Sequence, residues 1–317
     1  MRWVGIDEAG YGPNLGPLVM TAVVAEGPDG RPPDVWADRA STVSRAGGPS
    51  DRLWVDDSKQ VYKAGRGRDR LDAACLATLA ASGRPVPGTI SGLLGALGAG
   101  TLDDAELSPW LGGLDPRYPG LHSRSLADRT LARRPLDGAG WRLVDVRAVV
   151  VGPGRFNAGL GRSGSKAVVH FAAFAGLLAH LRATTPEGQG VAIRSDKHGG
   201  RHFYGDLLAG VFPGARVDRG PEGPALSRYE IVEPGRVLTL SLVPRADADD
   251  GLVALASMVS KAVREQWMDA FNAHWLARVP GLRPTAGYPV DAARFRAAIE
   301  AESRAGGPPP EDWWRAR

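Results

Sequence analysis

Residues 3–6, Trp-Val-Gly-Ile, form a short apolar run that reads as a buried strand, and the run delivers two adjacent carboxylates, Asp7 and Glu8, into a glycine-rich turn. Successive strand side chains face opposite sides of a sheet. Asp7 and Glu8 can therefore serve one site only where the strand ends and the backbone turns. Gly10, Gly12 and Gly16 supply that turn, and a turn free of side chains leaves main-chain N–H groups open to a sugar-phosphate backbone. The plain alternative is a strand followed by a solvated acidic turn. Residues 18–24, Leu-Val-Met-Thr-Ala-Val-Val, are a second β-rich run, close enough to the first to pair with it as an antiparallel hairpin.

At 317 residues, 43% hydrophobic and 23% charged, the chain is long enough for one large domain or a domain with a substantial insertion. The single cysteine, Cys75, excludes a disulfide framework and a cysteine-based zinc site, and reads as a small buried hydrophobe in a helix. No apolar run approaches a membrane span and the start has no basic n-region, so a cytoplasmic location is expected. The net charge of +4 suits a polyanionic partner without requiring one. Arginine is the default cation here. The five lysines, Lys59, Lys63, Lys166, Lys197 and Lys261, stand near acids or glycine loops, where a compact ammonium has a use.

Residues 26–50 are rich in Gly, Pro, Asp and Arg and read as a surface excursion. Asp57-Ser58-Lys59 precedes helical periodicity over 68–81. Residues 82–140 predict short helices and loops packed on the body as an insertion, with His122, Asp103, Asp104 and Glu106 at a solvated surface. A third strand is expected over 141–151, then a glycine-rich loop over 152–165 and an amphipathic helix from about 166 to 182. That loop is no P-loop, because Ser165 precedes Lys166 instead of following a Gly-Lys pair. Residues 191–196 form a short strand ending in Asp196, the usual way a mixed sheet brings an acid to a site at its carboxyl edge. His198 and His202 are separated by Gly199-Gly200, which disfavours a helix aligning them on a metal; phosphate contact or plain surface is expected. A helix over 203–211 and two or three strands within 217–242 follow. Next come Asp247, a helix beginning with small residues, and a helix over 291–303. The Pro-rich tail, 306–317, carries Trp313-Trp314, which either docks on the body or anchors a partner.

The string Gly5-Ile6-Asp7-Glu8-Ala9-Gly10-Tyr11-Gly12-Pro13 and its continuation to Val19 resemble the opening signature of the type 2 ribonucleases H (ribonuclease HII and HIII), in which an Asp-Glu pair precedes a Gly-Arg-Gly-Pro turn. Tyr11 stands where that family usually has arginine. Asp57-Ser58-Lys59 resembles the family's Asp-Ser-Lys element, and Phe156-Asn157 its Asn-bearing loop. Asp196 falls where the family has an Asp-Gly pair but is followed by Lys197. Residues 245–264 are similar to its Lys-Gly-Asp segment and following helix; counting back from Ser257 aligns Asp247, ahead of Asp249 or Asp250, with the fourth catalytic acid. Residues 285–289 resemble its Lys-Gly-Tyr-Gly segment. The resemblance covers roughly 1–59 and 141–303.

The resemblance implies an α/β fold, a ribonuclease H-like mixed five-stranded sheet flanked by helices, with a catalytic body of 1–82 and 141–305. An insertion of no assigned role, 83–140, and the tail complete the chain. It implies Asp7, Glu8, Asp196 and Asp247 as catalytic acids and ligands of two Mg²⁺ or Mn²⁺ ions, consistent with the preference of hard cations for oxygen donors. The implied activity is endonucleolytic cleavage of RNA in RNA/DNA hybrids, or at ribonucleotides in duplex DNA, leaving 5′-phosphate and 3′-hydroxyl ends. On the substrate side it implies the turn Gly10-Tyr11-Gly12 beside a 2′-hydroxyl, phosphate contacts from Lys59, Ser257 and Lys261, and Tyr288 beneath a sugar. Plain readings remain for Lys261 as a helix-surface charge and Tyr288 as a packing residue. Tyr11 cannot make an arginine's bidentate phosphate contact but can stack. Two other functions stay open: the same fold and metals acting on another structured nucleic acid, and a non-catalytic nucleic-acid binding module.

Overall fold

The computed structural model describes residues 1–63, 65–137 and 140–316. The segments 83–140 and 306–317 thus each include positions outside the described residues (138, 139 and 317). β1 (Arg2–Ala9) and β2 (Leu18–Glu26) form the expected antiparallel hairpin, with Asp7 opposite Thr21 and Glu8 opposite Met20. Pairing continues to Ala9, so the two carboxylates lie within the strand instead of beyond its end. Inside the 26–50 excursion and just after it, the two-residue strands β3 (Val43–Ser44) and β4 (Leu53–Trp54) pair in parallel, while Val35 and Val43 are buried.

Five helices follow, α1 (Ser58–Lys63), α2 (Gly67–Ala81), α3 (Ile90–Ala96), α4 (Ser108–Leu111) and α5 (Leu121–Arg133). Then come β5 (Arg142–Val151), α6 (Pro153–Ser163), α7 (Lys166–Thr184), β6 (Val191–Asp196) and α8 (Gly205–Val211). The chain continues through β7 (Arg216–Glu222), β8 (Ser227–Glu233), β9 (Arg236–Val243), α9 (Ala246–Asp249), α10 (Gly251–Leu276) and α11 (Pro289–Arg304).

The strands from β1 onward, β3 and β4 apart, form one mixed sheet in the order β5-β2-β1-β6-β9-β8-β7. β1, β6 and β9 run parallel side by side, and the remaining pairs are antiparallel. The expected mixed α/β sheet is thus present, with the β7–β8 hairpin extending it beyond five strands. Helices cover both faces. α10 lies on one, so close to β1 that a Cβ on Gly5 would stand 2.2 Å from the Leu252 carbonyl carbon and 2.3 Å from the Val253 nitrogen. α7 lies on the other, where Phe171, Phe174, Leu177, Leu178 and Leu181 pack with Val4 and Ile6. With 19 residues and a mean hydropathy of 1.3 in its most apolar window, α7 is the one described helix long and apolar enough to cross a membrane. That corrects the expectation that no run approached this length.

Residues of the middle segment share the α10 core: Leu93, Leu94, Trp110, Tyr118 and Ala127 are buried with Trp267, Phe271 and Trp275. Trp313 of the tail is buried in the same cluster and stands 6.2 Å from the Trp275 ring, so this end of the chain docks on the body.

Two expectations about this region are corrected. The stretch 152–165, expected as a loop from its glycines, is mostly helix α6. Pro153 suits the first helical turn, and the Glu106 carboxylate, far away in sequence, accepts from the Gly154 and Arg155 amides at 2.7 Å each. Glu106 is therefore a long-range helix cap in a half-buried position, not a solvated surface acid.

Candidate active site

The carboxyl ends of the three parallel strands lie next to one another, with Ile6 beside Ser195 and Asp196 beside Val243. In open α/β sheets this edge is where ligands bind. β1 brings Asp7 and Glu8 to it and β6 brings Asp196. β9 runs through a short link into α9, whose first turn carries Asp247. Asp196 organises that link: its Oδ1 accepts from the Arg245 amide at 2.7 Å and from the Lys197 amide at 2.8 Å. Asp250 accepts from the Leu252 and Val253 amides and caps α10, so it is committed to the helix.

Asp7 sits on the α10 side of β1, 6% exposed. The Ser257 hydroxyl, which donates to that of Ser58 at 3.1 Å, lies near enough to the Asp7 carboxyl to favour its ionised form. The Asp7 carbonyl accepts from Ser260 Oγ at 3.1 Å. Glu8 turns to the α7 side, with Oε2 3.6 Å from His170 Nε2.

Four repulsions link the acids in a closed ring, Asp7 to Glu8, Glu8 to Asp196, Asp196 to Asp247, and Asp247 back to Asp7. Burial is the largest cause of each shift that follows. It holds the Asp7 carboxyl well above the ordinary range, with Glu8 and Asp247 adding to it against the Ser257 hydrogen bond. Burial and Glu8 raise Asp196 against its amide hydrogen bonds. Burial, Asp57 and Asp196 push Asp247 up to about 6, with Lys59 opposing. A group of buried oxygen donors that raise one another's pKa is the electrostatic signature of a site for a hard cation. Among the described residues, however, no three His, Cys, Asp or Glu side chains are gathered in a metal-holding arrangement. Asp7 and Glu8 leave β1 on opposite faces, and Asp196 is held by backbone amides. The donors fit Mg²⁺ or Mn²⁺ in kind.

The remaining sequence-selected residues divide. Gly10 takes φ +92°, and a Cβ there would stand 2.3 Å from the Pro17 carbonyl oxygen; Gly12 is exposed, with no atom within 4 Å of the Cβ it lacks. Lys59 is exposed at the start of α1 and near enough to Asp247 to lower its pKa. Tyr288 is 49% exposed at the start of α11.

Others turn inward. Lys261 pairs with Glu265 at 2.6 Å beneath the Tyr62 ring, and Ser257 is buried against Asp7 and Ser58, so neither side chain is presented to a phosphate. Tyr11 is half-buried, its ring edge-on to His170 with centroids 4.7 Å apart and Lys166 Nζ 5.5 Å from its centroid. Asn157 faces the tail, donating to the Glu311 and Trp314 carbonyls at 2.9 Å.

His198, expected at the surface, is 5% exposed among Phe174, Tyr204 and His170, and burial holds it well below its ordinary pKa. Lys197 is buried too, tying the β7–β8 hairpin to β6 through the Gly223 carbonyl and Ser227, each at 2.7 Å. Sequence reasoning missed His170 and the buried Arg264 and Arg315; nothing local marks them, because each is defined by partners from other elements.

No protein-family model matches this chain, and no curated protein matches it in sequence. Among solved structures it is similar to a chain of the PCNA:RNase HII complex from Archaeoglobus fulgidus, at 15% identity over 100% of this chain and 95% of that one, with a TM-score of 0.46. It is also similar to ribonuclease H2 from Pyrococcus horikoshii OT3 (16% identity, 98% and 92% covered, TM-score 0.42) and to Bst-RNase HIII in complex with Mn²⁺ (17%, 99% and 66%, 0.39). The fold is a mixed α/β sheet with a helical layer on each face.

Proposed function

We propose that this chain is a divergent type 2 ribonuclease H, a metal-dependent endoribonuclease that cleaves RNA paired with DNA and leaves 5′-phosphate and 3′-hydroxyl ends. One observation carries the reading: β1, β6 and the short link after β9 bring Asp7, Glu8, Asp196 and Asp247 to the same carboxyl edge of the sheet. Asp7, Glu8, Asp196 and Asp247 would hold Mg²⁺ or Mn²⁺, which when bound supplies Lewis-acid stabilisation of phosphodiester oxygens and a water of lowered pKa. Ser257 orients Asp7, and the Arg245 and Lys197 amides orient Asp196. The exposed Gly12 lets the turn approach a 2′-hydroxyl, the group that separates RNA from DNA. Lys59 meets a phosphate, and Tyr288 offers a ring face to a sugar.

The test is the purified chain with Mg²⁺, Mn²⁺ or a chelator, offered an RNA/DNA hybrid, a DNA duplex with one ribonucleotide, and plain DNA. Cation-dependent cutting confined to the first two is expected. Equal cutting of all three would defeat the sugar discrimination, and binding without cutting would make the chain a binding module.

The acids also set a pH dependence of stability. With its pKa raised from 3.8 to about 6, folded Asp247 holds a proton that the unfolded chain has lost, so stability falls as pH rises through that window. Lowering the pH from 7 to 5 without divalent cations should add less than about 1 kcal/mol from this group, which solvent partly screens. Mn²⁺ should raise the melting temperature more at pH 7 than at pH 5, because protonated carboxyls are poor ligands. Differential scanning fluorimetry on a pH and Mn²⁺ grid checks both, and a cation effect independent of pH would refute the carboxylate site.

A further inference from the structure

The last residues of the described chain reach the glycine turn that follows Asp7 and Glu8. Arg315 is 1% exposed, and its guanidinium donates to the Gly10 carbonyl at 2.5 Å and the Tyr11 carbonyl at 2.8 Å, with the Gly16 carbonyl at 3.5 Å. Its own amide donates to the Asn14 carbonyl at 2.8 Å, and Trp314 forms an antiparallel bridge with Leu15. Beneath the same turn Arg264, also 1% exposed, donates to the Leu15 carbonyl at 3.1 Å and to Ala286 at 3.0 Å. Asn157 of α6 holds the tail in place through Glu311, Trp314 and Ala316.

A planar fork with five N–H donors can satisfy carbonyls from both ends of a turn at once, whereas an ammonium acts from one point. The residues bridged are Gly10 and Gly16, both at positive φ, where glycine flexibility leaves the backbone undetermined without an outside constraint. With the carbonyls of Gly10 and Tyr11 held to the buried side, Gly12 is left exposed.

We propose that the tail is a working part of the substrate turn, with Arg315 the positioning residue that sets the shape of residues 10–16. Its catalytic consequence rests on the nuclease reading above; its structural claim does not. Arg315 touches no reacting atom. It acts through the turn, so it governs how substrate seats against Gly12 more than the chemical step.

The experiment uses the 317-residue chain and its Arg315→Met, Arg315→Lys and Asn157→Ala variants. Amide hydrogen exchange is read at residues 10–16 and in β1, and kcat and KM are measured separately on an RNA/DNA hybrid in Mg²⁺. Exchange in the turn should rise about tenfold or more in Arg315→Met while β1 stays protected. KM should rise about tenfold with kcat within about threefold, with Arg315→Lys between wild type and Arg315→Met. Asn157→Ala keeps the buried cation and should loosen the turn more weakly. Unchanged turn exchange in all three variants would overturn the proposal, and so would loosening spread evenly over the sheet. A wild-type protein inert on every substrate, with loosening still confined to residues 10–16, would end the nuclease reading and leave the tail as the element that sets the turn.

Discussion

Asp7→Asn should abolish cation-dependent cleavage while making the protein harder to unfold. Loss of one ligand from a hard-cation site removes on the order of 4 kcal/mol of transition-state stabilisation, about a thousandfold in rate. The effect on stability has the opposite sign. Asp7 is buried and its carboxyl is held well above the usual range, first by burial and then by Glu8 and Asp247, so its ionised form is a cost to the fold at neutral pH. Asparagine keeps the shape and cannot ionise, so the melting temperature without divalent cations should rise. Single-turnover cleavage assays and thermal melts without divalent cations measure the two effects. Substantial residual cleavage, or a lowered melting temperature, would remove Asp7 from the proposed role.

Gly5→Ala, only two residues away, should act on the fold instead of the chemistry. The added methyl would stand 2.2–2.6 Å from main-chain atoms of Leu252 and Val253. Those atoms belong to the first turn of α10, which Asp250 caps and whose buried side packs on β1 and β2. Neither the strand nor the helix backbone can yield as a flexible side chain would, so the cost should reach or exceed the roughly 3 kcal/mol typical of severe overpacking. Displacing α10 also moves Ser257 away from Asp7, so activity falls with stability. Gly12→Ala is the control. Nothing lies within 4 Å of the new atom, and stability should stay within about 0.5 kcal/mol of wild type, while cleavage of the hybrid drops if this turn meets the sugar. Urea denaturation midpoints for the two variants give the comparison, and equal midpoints would contradict the close β1–α10 contact.

What could be read in advance followed the range of the interaction responsible. The β1–β2 hairpin, β5, β6, α2 and α11 announce themselves by local apolar periodicity and turn residues, and their spans match the patterned runs except that β1 continues past Asp7 and Glu8 to Ala9. α6 did not, because its glycines suggest a loop and its N-terminus is capped by Glu106, 48 residues earlier. His198 follows a strand end and precedes two glycines, a surface pattern, yet the aromatic rings of α7 and Tyr204 close over it. Lys261 stands in a helix of small residues as though free to reach a phosphate. Its partner Glu265 is one turn away and Tyr62 comes from α1.

By itself the order of residues determined the class of fold, the strand that carries Asp7 and Glu8, and the kind of chemistry to which a set of acids after short strands is suited. These depend on period, turn propensity and residue type, properties of a few neighbouring positions. Only the tertiary structure decided that Asp7 and Glu8 leave opposite faces of one strand, that four acids form one ring of repulsion, and that Arg315 sits beneath the Gly10 turn. The first follows from pairing that carries β1 past both acids to Ala9; the other two join segments remote in sequence, and such contacts are set by how helices and tail pack on the sheet.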